Sequence, residues 1–153
     1  MPLPRIAITA GDPSGIGPEI AVKASRDARV LAACEPIIYG PYSEAELSAF
    51  PAGRVNAAAG HAAYEAIVAA VRDALDGRIA AIATAPINKA AFAAAGHRWP
   101  GHTDLLADLC GVEHVAMMFW SEPLRVVLAT IHIPLSQVPR ALTRDRMREG
   151  FRT

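Results

Sequence analysis

The sequence has few cysteines, no net charge and no long apolar run, and each shortage excludes a class of protein. Two of its 153 residues are cysteine, Cys34 and Cys110, and they form no CxxC pair, which predicts free thiols packed in the core in a reducing compartment. No apolar run reaches the ~18 residues that a membrane span needs. The first residues show no signal-peptide pattern. We therefore expect a cytoplasmic protein without a membrane partner.

The balance of charges argues against nucleic acid as a partner. Lysine and arginine together number 15, as do aspartate and glutamate, whereas binding to a phosphate backbone depends on clustered basic side chains. One basic cluster occurs late in the chain, and we interpret it as a solvated helix face because acidic residues interrupt it. Its basic members are Arg140, Arg144, Arg146 and Arg148.

The sequence is rich in apolar residues, which make up 52% of it, whereas charged residues make up 20%. This composition is sufficient for a buried core, and the length corresponds to about one ordinary domain. Short apolar runs alternate with helical patterns, which is typical of an α/β fold. Strands are predicted over 5–9, 36–39, 79–84, 115–120 and 125–130. Helices are predicted over 20–26, 61–76, 88–95 and 103–110, with short ones after Ser43 and near Thr143.

Two features of these patterns predict the form of the sheet. The run 79–84 is mostly apolar, as expected of a strand that is buried on both faces of a parallel sheet. The runs 115–120 and 125–130 are separated by four residues that suit a hairpin turn. The predicted sheet is therefore mixed, with parallel and antiparallel pairs. Residues 52–60 are small and polar, and they are predicted to form a loop.

Polar residues follow three of the predicted strands, at the positions where ligands bind in open α/β sheets. The first such segment, 11–19, contains three glycines, but its spacing matches neither a Rossmann fingerprint nor a P-loop. Taken alone, it is either a tight strand–helix connection or a binding loop. Asp12 within it is a candidate catalytic residue, with a loop cap as the alternative.

The second segment combines Lys89 with His102 and Thr103. Lys89 follows the strand 79–84 and is a candidate for holding an anionic substrate, unless it is a solvated helix residue. His102 and Thr103 open a predicted helix, and a helix start suits a carboxylate or phosphate because its N–H groups and dipole attract anions. The alternative is a plain turn in which the Thr103 hydroxyl caps the helix.

The third segment places His132 just past the strand 125–130, between two isoleucines. A histidine here is a metal ligand or a proton carrier, or else a structural residue that is hydrogen bonded. A catalytic zinc site needs about three protein ligands, and the sequence has no HxxxH or HxH pair, so further ligands have to come from elsewhere. His61, His97 and His114 carry no spacing signal and are predicted to be surface or packing residues.

Taken together, the segments resemble one family. GDPSGIGPE at 11–19, TAPINK at 84–89, PGHTD at 100–104 and ATIHIPL at 129–135 are similar, in this order, to motifs of the 4-hydroxythreonine-4-phosphate dehydrogenase family of vitamin B6 biosynthesis. The resemblance implies a three-layer α/β/α fold of the isocitrate and isopropylmalate dehydrogenase type. It also implies that residues 1–153 are the N-terminal α/β portion of a larger two-domain enzyme, incomplete at its C-terminal portion, that forms a homodimer.

The resemblance further implies the chemistry. Members oxidise 4-phosphooxy-L-threonine with NAD or NADP, assisted by a divalent metal (Zn, Mg, Mn or Co), and the oxidised product loses carbon dioxide. His102 and Thr103 match the pair that contacts the substrate, and His132 matches the first of three metal-binding histidines. Lys89 and Asp12 are the candidate catalytic residues. The metal would act as a Lewis acid on substrate oxygens.

Two alternatives share these motifs. A close relative that oxidises another phosphorylated hydroxy acid, such as a four-carbon sugar acid phosphate, would carry every segment described above. A truncated, non-catalytic domain would carry them as well. Such a domain is expected to expose apolar surface, because the helices of an α/β unit normally cover both faces of its sheet.

Overall fold

The chain divides after Cys110 into two units in the computed structural model, which describes residues 2–150. A parallel sheet of three strands, in the order β2-β1-β3, forms the centre of the first unit. Its strands are β1 (Arg5–Thr9), β2 (Glu35–Tyr39) and β3 (Ala81–Thr84). Thr9 aligns with Tyr39 on one side and with Thr84 on the other. The carboxyl ends of all three strands therefore lie at the same edge of the sheet.

The described residues of the first unit form six helices, and one long helix among them packs against two shorter ones. In chain order the six helices are α1 (Gly17–Arg26), α2 (Ala28–Ala33), α3 (Glu44–Leu47), α4 (Ala57–Leu75), α5 (Lys89–Ala94) and α6 (His102–Cys110). Ala63, Ile67 and Val71 lie on one face of α4, at the spacing of an apolar helical stripe, and form a buried cluster with Phe92 and Leu105. Because Phe92 belongs to α5 and Leu105 to α6, α4 is the element that fixes both of these helices.

The helix α4 begins four residues earlier than the predicted start at residue 61. The predicted loop over 52–60 is therefore wrong in its second half. Asn56 caps the helix, since its side-chain oxygen accepts a hydrogen bond from the Ala59 N–H at 2.8 Å. The first turn consists of alanine and glycine, which carry no apolar periodicity. Gly60 has a packing role there, because a side chain at this position would overlap the carbonyl of Ala91 in α5.

The structure contradicts the prediction that 79–84 is a strand buried on both faces. β3 is an edge strand of the parallel sheet. Ala81, Ala83 and Thr84 are exposed, and Ile82 is partly buried. Alanine made this run apolar without requiring burial, because its methyl group loses little by contact with water. A short, alanine-rich strand therefore gave a misleading burial signal.

The second unit contains an antiparallel hairpin, as predicted, but with shorter strands. β4 (Met118–Trp120) pairs with β5 (Arg125–Val127). Ser121 closes the turn by donating both its N–H and its hydroxyl to the carbonyl of Leu124, each at 2.9 Å. In the described residues the parallel and antiparallel pairs belong to two separate sheets. The predicted single mixed sheet is therefore not found there.

After the hairpin the second unit forms short helices, and many of its side chains are exposed. It contains a short 3-10 helix (Leu135–Gln137), α7 (Val138–Ala141) and α8 (Arg144–Gly150). The arginines of the predicted solvated face are indeed exposed. So are apolar side chains of the hairpin, with Phe119 at 60% and Trp120 at 65% exposure. A two-stranded hairpin is only marginally stable in water, and exposed apolar surface of this kind marks an interaction site or an uncovered core face.

Two further expectations concern the thiols and the membrane. Cys34 and Cys110 are free thiols, as predicted. Cys34 is only partly buried and Cys110 is exposed at the end of α6, so the prediction that both pack in the core is wrong. Across residues 2–150, no helix combines the length and the apolar character required to cross a membrane.

Candidate functional site

Two loops leave the carboxyl edge of the sheet side by side. The Asp12 N–H in the loop after β1 donates a hydrogen bond of 3.0 Å to the carbonyl of Pro86 in the loop after β3. Gly11 lies at the same contact with a φ of 70°, and a side chain there would overlap the Pro86 carbonyl oxygen. Both the backbone conformation and the close approach therefore require glycine. The sequence segments 11–19 and 84–89 are neighbours in the structure.

Asp12 is buried and organises its own loop. Its side-chain oxygen accepts a hydrogen bond of 2.8 Å from the Ser14 N–H, and Asp12 is only 6% exposed. The Ser14 hydroxyl in turn accepts a hydrogen bond of 3.0 Å from the Asn56 amide, the residue that caps α4. This network joins the loop after β1 to the start of α4. It corresponds to the loop-cap alternative for Asp12, and the catalytic role stays a prediction.

Lys89 is the first residue of α5 and is exposed. Asn88 caps this helix, since its side-chain oxygen accepts hydrogen bonds from the N–H groups of Ala90 and Ala91 at 3.0 and 3.1 Å. The Cε of Lys89 lies 4.0 Å from the position that a side chain on Gly101 would occupy. The lysine stem therefore passes beside the residue that immediately precedes α6.

His102 and Thr103 form the first turn of α6. The Nε2 atom of His102 is buried and has no hydrogen-bond partner among the described residues. Burial lowers the pKa of His102 from its ordinary value of 6.5, so the imidazole is predominantly neutral at pH 7. Thr103 is exposed and lies inside the helix, because α6 begins at His102. The predicted capping role of Thr103 is therefore wrong, although its hydroxyl remains accessible.

This arrangement is suited to holding an anionic group. The start of α6 presents backbone N–H groups that lack helical partners, together with the positive end of the helix dipole. Lys89 brings a positive charge on a flexible stem to the same place. Asp104 adds an exposed negative charge in that turn, so Lys89 and the N–H groups have to outweigh it. The chemistry available is recognition of a phosphate or carboxylate beside a neutral histidine.

His132 lies in the second unit and has an unusual backbone. It is exposed, and with a φ of 58° it is the only non-glycine residue among residues 2–150 that has a positive φ. Such a conformation costs of order 1 kcal/mol and is concentrated at functional sites. The described residues contain no group of three or more His, Cys, Asp or Glu side chains that could hold a metal ion. His132 could therefore be one ligand of a metal, but not a complete site.

The structure also brings together two histidines that the sequence gave no reason to connect. Nδ1 of His61 in α4 lies 3.4 Å from Nε2 of His97 in the loop between α5 and α6. Tyr64 and Trp99 stack beside them. The one signal available in the sequence was the presence of histidine and an aromatic residue in both segments, which does not fix a contact between positions 36 apart.

These observations define an α/β protein that carries a candidate anion site where a helix begins, beside the carboxyl edge of a parallel sheet. The chain belongs to the family described as pyridoxal phosphate biosynthetic protein PdxA, whose model matches residues 17–153.

Curated relatives carry closely related names. The chain is 36% identical to the 4-hydroxythreonine-4-phosphate dehydrogenase of Trichlorobacter lovleyi, over 99% of this chain and 56% of that protein. It is 41% identical to the enzyme of the same name from Beijerinckia indica, over 88% of this chain and 50% of that protein. It is also 35% identical to the D-threonate 4-phosphate dehydrogenase of Cupriavidus necator, over 92% and 53% of the two chains. The chain thus spans about half the length of the curated relatives it matches.

Solved structures agree with this assignment. A 4-hydroxythreonine-4-phosphate dehydrogenase from Burkholderia phymatum matches 98% of this chain with a TM-score of 0.90 and 34% identity, over 56% of its own length. A terephthalate 1,2-cis-dihydrodiol dehydrogenase from Burkholderia xenovorans matches with a TM-score of 0.72 and 28% identity, over 98% and 55% of the two chains. The α/β fold is therefore shared with dehydrogenases that differ in their named substrates.

Proposed function

We propose that this chain is the N-terminal portion of a dehydrogenase that oxidises 4-phosphooxy-L-threonine with NAD or NADP in pyridoxal phosphate biosynthesis. When bound, the nicotinamide cofactor would supply the hydride acceptor for this oxidation, and the resulting β-keto acid would lose carbon dioxide. The observation that carries the proposal is the approach of Lys89 to Gly101 at the start of α6, in a chain of the PdxA family. We further propose a cytoplasmic homodimer of two-domain subunits, as the resemblance of the motifs implies.

The roles of the first-unit residues follow from their positions. Lys89 and the first turn of α6 bind an anionic group of the substrate, because a lysine charge and helix N–H groups complement a phosphate or carboxylate. His102 contacts the substrate as a neutral imidazole, since burial lowers its pKa. Thr103 contributes an exposed hydroxyl. Asp12, buried against Ser14, holds the loop after β1 in place.

His132 is the residue of this chain that would hold a divalent metal, such as Zn, Mg, Mn or Co. An exposed imidazole fits the donor chemistry of such an ion. The other ligands would be contributed from outside the described residues. When bound, the metal supplies a Lewis acid that stabilises the negative charge developing on substrate oxygens.

The test uses the complete product of the gene that encodes this chain. We expect reduction of NAD or NADP that depends on 4-phosphooxy-L-threonine and that is abolished by a chelator and by His132→Ala. His114→Ala, which changes another exposed histidine of the second unit, is the matched control and is expected to retain turnover. Unchanged turnover in His132→Ala would reject the metal role. Absence of any nicotinamide reduction would favour the non-catalytic domain.

A second candidate substrate comes from the relative in Cupriavidus necator, which is named D-threonate 4-phosphate dehydrogenase. Both substrates are phosphorylated hydroxy acids, so the anion site described above suits either one. The ratio of kcat/KM for the two compounds separates the candidates. A higher value for D-threonate 4-phosphate would replace the first substrate and leave the reaction class unchanged.

A further inference from the structure

The two histidines His61 and His97 form a hydrogen bond between α4 and the loop that leads into α6. Nδ1 of His61 and Nε2 of His97 are 3.4 Å apart, which is long but within reach of a hydrogen bond between ring nitrogens. The rings are nearly parallel, at an interplanar angle of 6°. Which ring donates depends on the tautomers, since only one of the two facing nitrogens needs to carry a proton.

Aromatic rings pack around this pair and connect it to the core. Tyr64, one turn along α4 from His61, stacks on His97 with ring centroids 4.0 Å apart. Trp99 stacks on Tyr64 at 5.6 Å, and Phe92 of α5 lies 4.9 Å from His97. The backbone N–H of His97 donates to the Phe92 carbonyl at 3.1 Å. The loop of residues 95–101 is therefore anchored to α4 and α5 through two aromatic side chains, His97 and Trp99.

We propose that the hydrogen bond between His61 and His97 is a latch that holds residues 95–101 against α4 and thereby positions the start of α6. His102 follows this loop directly, and Gly101 is the residue that Lys89 approaches. The two histidines are positioning residues, because they act on the anion site through the loop and do not themselves belong to it. The effect on substrate binding rests on the proposed function, whereas the latch does not.

The latch is sensitive to protons because of how two imidazoles share a hydrogen bond. When both rings are neutral, one N–H faces one lone pair. After one proton is added, an imidazolium still donates to a neutral ring, so the hydrogen bond persists. After a second proton is added, two N–H groups and two positive charges face each other and the hydrogen bond is lost. The latch therefore opens only when both histidines are protonated.

The groups around the pair determine the pH at which the second proton binds. On α4, the Glu65 carboxylate lies 3.9 Å from Nε2 of His61. In the loop, Arg98 is paired with Asp108 of α6 at 2.9 Å and lies over Trp99. Phe92 is the side chain that α5 places against His97. Burial and the neighbouring His61 lower the pKa of His97 from 6.5, and Glu65 opposes this only in part. Opening is thus expected on the acid side of pH 6.5.

Amide hydrogen exchange across residues 97–101 tests the latch without any substrate. The measured quantity is the exchange rate of the wild-type protein divided by that of a variant whose latch cannot titrate. We expect this ratio to rise about fivefold from neutral pH to about pH 5. Fivefold corresponds to the net strength of one hydrogen bond. That variant combines His61→Asn with His97→Gln, because its amide groups replace the two paired nitrogens and keep a hydrogen bond. If it does not fold, His97→Gln alone serves the same purpose.

The controls separate the latch from a general acid effect and from the proposed enzyme activity. His114→Gln changes a histidine outside the pair and is expected to keep the wild-type exchange profile. Identical profiles in the wild type and in the non-titrating variant would overturn the latch. In the complete gene product, the KM for 4-phosphooxy-L-threonine is expected to rise with the same pH midpoint as exchange, and the non-titrating variant is expected to abolish that rise. An exchange difference without any turnover would leave the latch standing and reject only the proposed function.

Discussion

At the scale of single residues, two glycines with the same backbone conformation have different surroundings. Gly11 and Gly77 have φ values of 70° and 71°. A side chain at Gly11 would overlap the carbonyl oxygen of Pro86, whereas no atom lies within 4 Å of that position at Gly77. The pair therefore separates the cost of a left-handed backbone from the cost of disturbing the contact between the loops after β1 and β3.

We predict that Gly11→Ala lowers the free energy of unfolding by about 2–4 kcal/mol, because backbone strain adds to displacement of the Pro86 loop. Gly77→Ala is expected to cost only about 1 kcal/mol, from the backbone alone. Urea denaturation of the 153-residue chain measures both variants. Equal losses would show that the two loops are not in contact.

Histidine protonation is predicted to destabilise the first unit. Burial lowers the pKa of His102, and burial together with His61 lowers the pKa of His97, both from 6.5. The unfolded chain then binds protons at these rings more readily than the folded chain does, so protonation favours unfolding. The stability should be fully present above about pH 6.5 and should fall as the pH drops through the lower folded-state pKa values.

Denaturation curves at a series of pH values test this dependence. His102→Gln is expected to flatten the part of the slope that His102 contributes, because glutamine does not titrate. An increase in the free energy of unfolding on acidification from neutral pH to about pH 5 would contradict the expected direction.

At the scale of secondary structure elements, Leu105 is the one residue of α6 that is buried. Leu105 is 0% exposed and packs with Ile67 of α4 and Phe92 of α5. We predict that Leu105→Ala lowers the free energy of unfolding by about 2–5 kcal/mol, because it removes buried methyl groups and leaves a cavity. Leu106→Ala, at a partly buried neighbour, is expected to cost clearly less. Thermal unfolding of both variants measures the difference, and similar losses would argue against the packing of α6 described above.

The periodicity of the sequence predicted most of the elements but not their environments. Alternating or apolar runs located β1, β2 and the hairpin, and the apolar stripe located the body of α4. The short helix α2 was missed because its six residues are too few to show a period, although Asp27 caps it. The exposure of β3 was also missed. Burial of an alanine-rich strand depends on which elements lie over it, and this information is not local to the run.

In the candidate site, too, the sequence predicted some features and not others. Lys89, His102 and Thr103 could be selected from the sequence because motif order carried them, and the structure places Lys89 beside the residue that precedes His102. The contact between His61 and His97 could not be selected, because it depends on how the loop after α5 folds back on α4. The role of His132 as a metal ligand stays a prediction.

At the scale of the whole molecule, a family assignment rests on a chain that spans about half the length of its relatives. The first unit contains a parallel sheet, a buried core around α4 and a candidate anion site at α6. The second unit contains His132 and an exposed apolar hairpin. The central claim is that Lys89 and the start of α6 bind the anionic group of a phosphorylated substrate.

The most direct test of this claim is the KM for 4-phosphooxy-L-threonine in the complete gene product and its Lys89 variants. Lys89→Met is predicted to raise the KM by about 10- to 100-fold, because a hydrogen bond to a charged group contributes about 1.5–3 kcal/mol. Lys89→Arg keeps the charge and is expected to retain most of the affinity. A KM in Lys89→Met equal to that of the wild type would contradict the account.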